Sequence, residues 1–267
     1  FVDDSFALVN GPATFLTLRF AIVAGLLAIL ALVTRAPWPR SWAEAGHIAV
    51  AGLLVHGIYL GGVFASIYHG VDAGVSSLIV GIQPLLVAAV ARPVLGERVP
   101  RLTWLGLVLG FVGVILVVWN KLGIGAGTPL GYALSVFALF GISAGTVYQK
   151  KYCAHTDLRS ANAVQFAASA VTLLPFALAL ETMRIEWTWR FIFALAWLCL
   201  LLSVGAITLL YLLIRHDAAA RVASLLYMVP PCTALLAWLL FDETLSAVAL
   251  TGMACAAAGV ALVSVSR

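Results

Sequence analysis

The chain has 267 residues, of which 63% are hydrophobic and only 10% charged. A soluble core of this length does not need so much apolar material, so the bilayer is the expected solvent and no room is left for a second, soluble domain. The net charge of +4 does not call for a nucleic-acid partner, because it comes from loop residues of the kind that orient a membrane protein.

Stretches of about 20 apolar residues, enough for a helix to cross about 30 Å of hydrocarbon, occur over 12–34, 45–68, 73–95, 101–119, 129–149, 160–180, 189–214, 219–241 and 246–265. The first holds Arg19 about two turns from one end. A charge there costs on the order of 3 kcal/mol in hydrocarbon, so it must pair or snorkel. Two readings stay open: Arg19 binds a substrate carboxylate, or it pins helix ends through loop carbonyls, Asp3 or Asp4. In the second span His56, Tyr59 and Ser66 mark one face. His56 is the one histidine deep within a span, and it either faces a wet interior or bonds to a neighbouring helix. Tyr59 offers an aromatic wall with a polar tip, suited to a small zwitterion or an aromatic side chain.

In the third span Ser77, Gly81, Pro84 and Ala88 share a stripe, with Gln83 beside the proline. Pro84 supplies no backbone donor and pushes against the Val80 carbonyl. The pairs Gly57/Gly61, Gly106/Gly110 and Gly141/Gly145 have the G-x-x-x-G spacing of close helix packing. Span 129–149 offers Ser135, Thr146 and Gln149, and span 189–214 offers Ser203 and Tyr211; bonding between helices competes with substrate contact for all of them. In span 219–241, Ser224, Tyr227, Pro231 and Trp238 form a stripe, and Pro230-Pro231 frees the carbonyls of Leu226 and Tyr227. The hydroxyls of Ser77 and Ser224 can instead bond a carbonyl of their own helix. The candidate substrate-binding set is thus His56, Tyr59, Ser77, Gln83, Ser224, Tyr227, Tyr211 and Arg19, and the candidate hinge set is Gly81, Pro84, Pro230 and Pro231.

Lys and Arg fix the expected orientation. Arg35, Arg40, Arg92, Arg98, Arg101, Lys150, Lys151, Arg159, Arg215, Arg221 and Arg267 fall on one side, against Lys121, Arg184 and Arg190 on the other. The first side, with the C-terminus, is expected to be cytoplasmic.

Pro84, Glu97, Gly106 and Gly113 return as Pro230, Glu243, Gly252 and Gly259, each 146 residues later. Phe20, Ala21, Ala24 and Leu27 match Phe166, Ala167, Ala170 and Leu173 at the same offset. The chain is therefore a tandem repeat, 1–119 and 129–267. A module of five spans runs the opposite way in its second copy, so a pseudo-twofold axis in the membrane plane is expected. The second copy holds five spans and the first holds four, which leads us to expect an all-α polytopic fold of ten helices in the natural chain, nine visible here, with both ends cytoplasmic. An opening at Phe1 rather than Met agrees with a missing helix, and a cleaved signal peptide would produce the same opening.

The run Ala73-Gly74-Val75-Ser76-Ser77-Leu78 to Pro84, then Gly96-Glu97-Arg98, Trp104, Gly106 and Gly113-Val114, resembles the EamA-type modules of the drug/metabolite transporter superfamily. Ala223-Ser224-Leu225-Leu226 to Pro230, Glu243, Gly252 and Gly259-Val260 resembles them again, and Arg19 sits where that family has an early arginine. The second copy departs from the pattern with Pro230-Pro231 and with Asp242 in place of Gly96. The resemblance implies inverted repeats of five helices, a bacterial inner membrane and movement of small metabolites, commonly export of amino acids by alternating access.

The five histidines lack ligand spacing and the four cysteines form no C-x-x-C pair, so no metal, cofactor or disulfide is expected. No Walker A sequence points to ATP. Every Asp and Glu lies in a loop or at a helix end, which leaves His56 as the titratable candidate for proton coupling; uncoupled diffusion fits equally. Gly141-Ile142-Ser143-Ala144-Gly145 spells G-x-S-x-G without the preceding strand that a nucleophile elbow needs. A channel would need a continuous pore ringed by charges or carbonyls. The expectation is a monomeric carrier in the lipid bilayer, not an enzyme. Its substrate would be a neutral or aromatic amino acid or, alternatively, another small metabolite or drug-like solute.

Overall fold

The computed structural model describes residues 11–119, 127–241 and 246–266. Among them it contains nine helices long and apolar enough to cross a membrane, and no strand. They are α1 (Pro12–Val33), α2 (Trp42–Tyr68), α3 (Ala73–Leu95), α4 (Arg101–Val118), α5 (Pro129–Cys153), α6 (Leu158–Leu180), α7 (Trp189–His216), α8 (Ala219–Leu236, with helix continuing to Phe241) and α9 (Ala247–Val265). Short polar side chains set where many of them start. Ser41, Asp72, Thr128, Asp157, Thr188 and Ser246 each accept a backbone N–H from the first turn of the helix that follows, satisfying donors that have no partner within the helix. Large apolar side chains such as Val33, Phe137, Phe140, Leu180, Leu201 and Trp189 point outward, where hydrocarbon replaces a protein core.

Each half packs against its own copy. The most extensive helix contact is α4 with α9, that of α1 with α6 is also large, and both pairs are related by the 146-residue offset. A Cβ added at Gly106 would lie 2.7 Å from the carbonyl oxygen of Gly259, and one at Gly113 would lie 2.7 Å from that of Gly252. Gly252 and Gly259 are themselves the copies of Gly106 and Gly113, so each glycine meets the counterpart of the other. This self-complementary, antiparallel contact is the signature of a twofold axis crossing the helix pair. Residue 20 likewise meets its own copy, residue 166. The inverted repeat expected from the sequence is thus seen directly in the packing.

The helices are irregular at matching places. In α2 the backbone ladder widens to the π type over Leu53–Leu60, and in α7 over Leu198–Ala206, the same stretch within one residue once 146 is subtracted. α3 breaks at Gly81-Ile82, between Ala73–Val80 and Gln83–Leu95; α8 tightens to a 3₁₀ turn over Leu225–Met228, the equivalent place. Pro84 therefore does not kink a continuous helix. It stands in the first turn of the second piece of α3, where its missing N–H costs nothing.

Gly141 and Gly145 pack as their spacing predicts, each with a would-be Cβ 2.6 Å from a side chain of α2, Ile58 or Val55. Gly57 and Gly61 do not: a Cβ there would meet nothing nearer than 3.8 Å. Both line a groove instead, Gly57 within the π-type stretch and Gly61 just after it.

At the charged end of the bundle α3, α4, α5, α8 and α9 are tied together. Lys150 pairs with Glu97 and donates to the carbonyl of Asp217, while Glu97 Oε2 accepts the Ala219 N–H at the start of α8 at 3.0 Å. Arg221 donates to the Ser266 carbonyl at 2.8 Å, and the Thr103 and Ser266 hydroxyls bond at 2.6 Å. At the opposite end Glu181 caps α1, accepting from Ala13 N, Thr14 N and Thr14 Oγ1. Glu243, the copy of Glu97, lies outside the described residues, as do Lys121, Asp242 and the Asp3 and Asp4 considered as partners of Arg19.

Candidate functional site

Polar side chains in a bundle this apolar occur in three layers, each joining helices. Nearest the Pro12 end, the hydroxyls of Ser66 (α2), Ser135 (α5) and Ser76 (α3) form a chain, 2.6 Å and 2.9 Å apart. The interior serine of α3 is thus Ser76. Its neighbour Ser77 is exposed and donates to the Gly74 carbonyl of its own helix at 2.8 Å. The Asp72 cap fixes the rotation of this turn.

The middle layer is built around Arg19, which is 2% exposed. Its Nε and Nη2 donate to the Ser203 hydroxyl of α7 at 3.2 Å and 2.9 Å. His56 and Tyr59 of α2 lie within electrostatic reach of the guanidinium. Among the described residues no carboxylate pairs with it, and its side-chain hydrogen bonds go to a neutral hydroxyl. His56 is fully buried, its ring stacked on Phe166 with centroids 4.0 Å apart, and neither ring nitrogen has a hydrogen-bond partner. The neighbouring-helix hydrogen bond considered for it is not made. Tyr59 keeps part of its surface accessible. Arg19, His56 and Tyr59 are brought together from α1 and α2, and Ser203 joins them from the π-type stretch of α7.

The third layer lies toward the charged end. Gln165 (α6) donates to Gln149 (α5) and accepts from the Tyr211 hydroxyl (α7), both at 2.9 Å. Gln83 of α3 donates to Thr146 Oγ1 at 3.2 Å, and its own Oε1, though buried, has no partner. The buried Tyr227 hydroxyl is also unpartnered. Ser224 bonds the Arg221 carbonyl at 2.7 Å within its own helix. Pro84 and Pro231 are buried, Pro230 and Gly81 half-buried. Tyr211 and Tyr227 are thus far along the bundle from Arg19. Gln165, Gln149 and Asn162 complete this layer; a Gln or Asn inside an apolar run was the sequence signal for Gln165 and Asn162.

A groove of about 570 Å³ opens among α1, α2, α5 and α6 on the Pro12 side, with Gly57, Gly61, Gly62 and Ala65 along its floor. Leu16 and Gly57, which line it, lie close in sequence to Arg19 and His56, which do not. Among the described residues no group of three or more His, Cys, Asp or Glu is placed to hold a metal ion.

The chain matches the model of the EamA-like transporter family twice, over residues 7–119 and 129–265. It is 26% identical over 235 residues to the uncharacterized inner membrane transporter YedA of Escherichia coli, covering 88% of this chain and 76% of that one. It is also 26% identical over 254 residues to the uncharacterized transporter YvbV of Bacillus subtilis, covering 95% and 82%. A probable amino-acid metabolite efflux pump of Salmonella typhimurium is 24% identical, covering 73% of this chain and 69% of that protein. A solved crystal structure superposes with a TM-score of 0.79 at 17% identity, over 94% of this chain and 87% of that one, which shows a shared fold. With two family matches that together span most of its length, arranged as two antiparallel copies of one helical module, this chain belongs to the EamA-like transporter family.

Proposed function

We propose that this membrane transporter carries amino acids or similar small zwitterions across a bacterial inner membrane, outward, by alternating access, each chain working alone. The observation that supports this best is the matched interruption of α3 at Gly81-Ile82 and α8 at Leu225–Met228. Broken helices at equivalent places in inverted repeats are where carriers of this construction bind substrate and bend. Gly81, Pro84, Pro230 and Pro231 then act as hinges. Arg19 recognises a carboxylate, Tyr59 and His56 flank it, and Gln83 and Tyr227 offer unpartnered polar atoms at the interruptions. Ser77 and Ser224 have the weaker claim, since each already bonds a carbonyl of its own helix, while Tyr211 stands in the layer around Gln165. Each repeat, 1–119 and 129–267, moves as one half of the machine, and the end bearing Arg98, Lys150 and Arg221 faces the cytoplasm.

The test is counterflow of a panel of labelled amino acids in proteoliposomes. Saturable exchange of one or a few of them, competed by the unlabelled compound, is the expected result. Rates far above those of a conformational cycle, without counterflow, would instead indicate a channel.

A further inference from the structure

The repeat offset maps Arg19 onto Gln165, and the two stand at mirrored depths: Arg19 is the eighth residue of α1 from Pro12, and Gln165 the eighth of α6 from Leu158. α1 and α6 are the antiparallel pair that meets at Phe20 and Phe166, so one residue faces the half of the bundle toward Pro12 and the other the half toward Asp157. Their surroundings are not alike. Ser203, which holds Arg19, is the copy of Gly57, which has no side chain to hold Gln165. Gln165 instead turns to Gln149 and Tyr211, and its amide is matched by neutral groups on both sides. Arg19 has no carboxylate partner among the described residues, and it lies beside a fully buried His56 whose ring nitrogens bond nothing.

We infer that the two ends of the transport pathway recognise the substrate differently: a carboxylate-selective half-site at Arg19, and a neutral half-site, read by amide and hydroxyl groups, at Gln165. This rests on the transport reading above, with its carboxylate at Arg19, and adds to it a sidedness and a second, neutral half-site. A buried guanidinium whose partner among the described residues is a hydroxyl gains most from an anion that enters its site, since charge-assisted, two-pronged bonds to a carboxylate are stronger than those to a neutral acceptor. An amide of the same shape offers one oxygen and no charge. At Gln165 the two compounds differ little, because no fixed charge distinguishes them.

The experiment uses the intact protein in proteoliposomes of determined orientation and compares an exchanged amino acid with its carboxamide, each supplied from one side at a time. From the side of Pro12 and Asp72 the free acid should have a KM at least tenfold below that of the amide. From the side of Arg98 and Lys150 the two should differ by less than threefold. Arg19→Gln should abolish the difference on the first side and leave the second unchanged, and Arg19→Lys should keep part of it. Equal selectivity on both sides of the parent, or an Arg19→Gln variant that exchanges substrate and keeps the full preference, overturns the inference while leaving amino-acid transport standing. If Arg19→Gln does not fold, the parent's two-sided comparison decides alone. No uptake of either compound from either side overturns both the inference and the transport reading.

Discussion

The rings of Phe20 and Phe166, 146 positions apart, meet with centroids 5.6 Å apart and planes inclined by 53°. A residue that touches its own counterpart lies at the twofold axis, and here the axis passes between two aromatic rings that also wall His56. Truncating either ring should cost about 3–5 kcal/mol, as for other buried phenylalanines. Phe166→Ala should be the more damaging, because His56 stacks closer on it. The double variant should depart from additivity by more than ~0.5 kcal/mol, measured by denaturant unfolding in detergent.

Glycines divide by what surrounds them. Gly113→Ala and its copy Gly259→Ala push a methyl group into the facing backbone, within 2.4 Å of Ala256 N and Gly110 N respectively. Each should lose about 1–3 kcal/mol, the usual range for overpacking, and the two losses should be alike. Gly57→Ala and Gly61→Ala meet only an ordinary van der Waals contact at 3.8 Å and should be neutral or raise stability by up to ~1 kcal/mol through helix propensity. Thermal unfolding of the four variants checks the division.

His56 separates packing from polarity. His56→Ala removes a ring stacked at 4.0 Å on Phe166 and should cost roughly 2–4 kcal/mol by leaving a cavity, so slower flux in that variant would be uninformative. His56→Phe keeps the stacking and removes two buried, unbonded nitrogens, which should raise stability by about 1–3 kcal/mol. If the imidazole serves transport, this more stable variant will exchange substrate more slowly; parental flux would show that the ring serves packing. Tyr59→Phe, at a partly accessible position, should slow flux with little change in stability.

The prolines are tested in pairs. Pro84→Ala, and Pro230→Ala with Pro231→Ala, should leave folded protein that binds substrate but exchanges it about tenfold more slowly, a barrier rise of ~1.4 kcal/mol. Similar slowing in both is expected of interruptions that share one motion. Unchanged counterflow in both would assign the prolines to packing.

The tie formed by Lys150, Glu97 and the start of α8 closes the charged end of the bundle. Lys150→Gln should loosen it, and a cysteine placed at buried Val147 should then react with a charged maleimide several times faster from that side. Glu97→Gln should act in the same direction and also weaken the α8 start by about 1 kcal/mol through loss of charge at the helix terminus. Labelling rates equal to those of the parent would show that these contacts do not govern access.

Much of the architecture is legible in the sequence, because the spans are long apolar runs and Pro84, Gly106 and Gly113 recur at one fixed offset. The site is less so. The π-type stretches depend on a slipped hydrogen-bond ladder that leaves no compositional trace. Gly57 lies in one of them and Gly61 just after it, and neither makes the close helix contact that Gly141 and Gly145 make at the same spacing. Ser76 and Ser77 are adjacent in sequence, and the turn set by Asp72 chooses which points inward. The bond from Arg19 to Ser203 joins residues 184 positions apart and follows from tertiary packing alone. Gln165, which no motif singles out, gains meaning only once the twofold axis places it opposite Arg19.

The exchange of partners among Gly106, Gly113, Gly252 and Gly259 has a consequence for biosynthesis. An interface that looks the same from either end carries no information about which way up the molecule sits, so the buried surfaces of α4 and α9 would assemble equally well in a chain inserted upside down. Orientation must be stored elsewhere, in the few loop lysines and arginines that the insertion machinery reads as each hairpin enters the bilayer. The residues that decide the direction of insertion therefore also set which way the molecule faces, and some of them, Lys150 and Arg221, go on to tie helices together at the charged end.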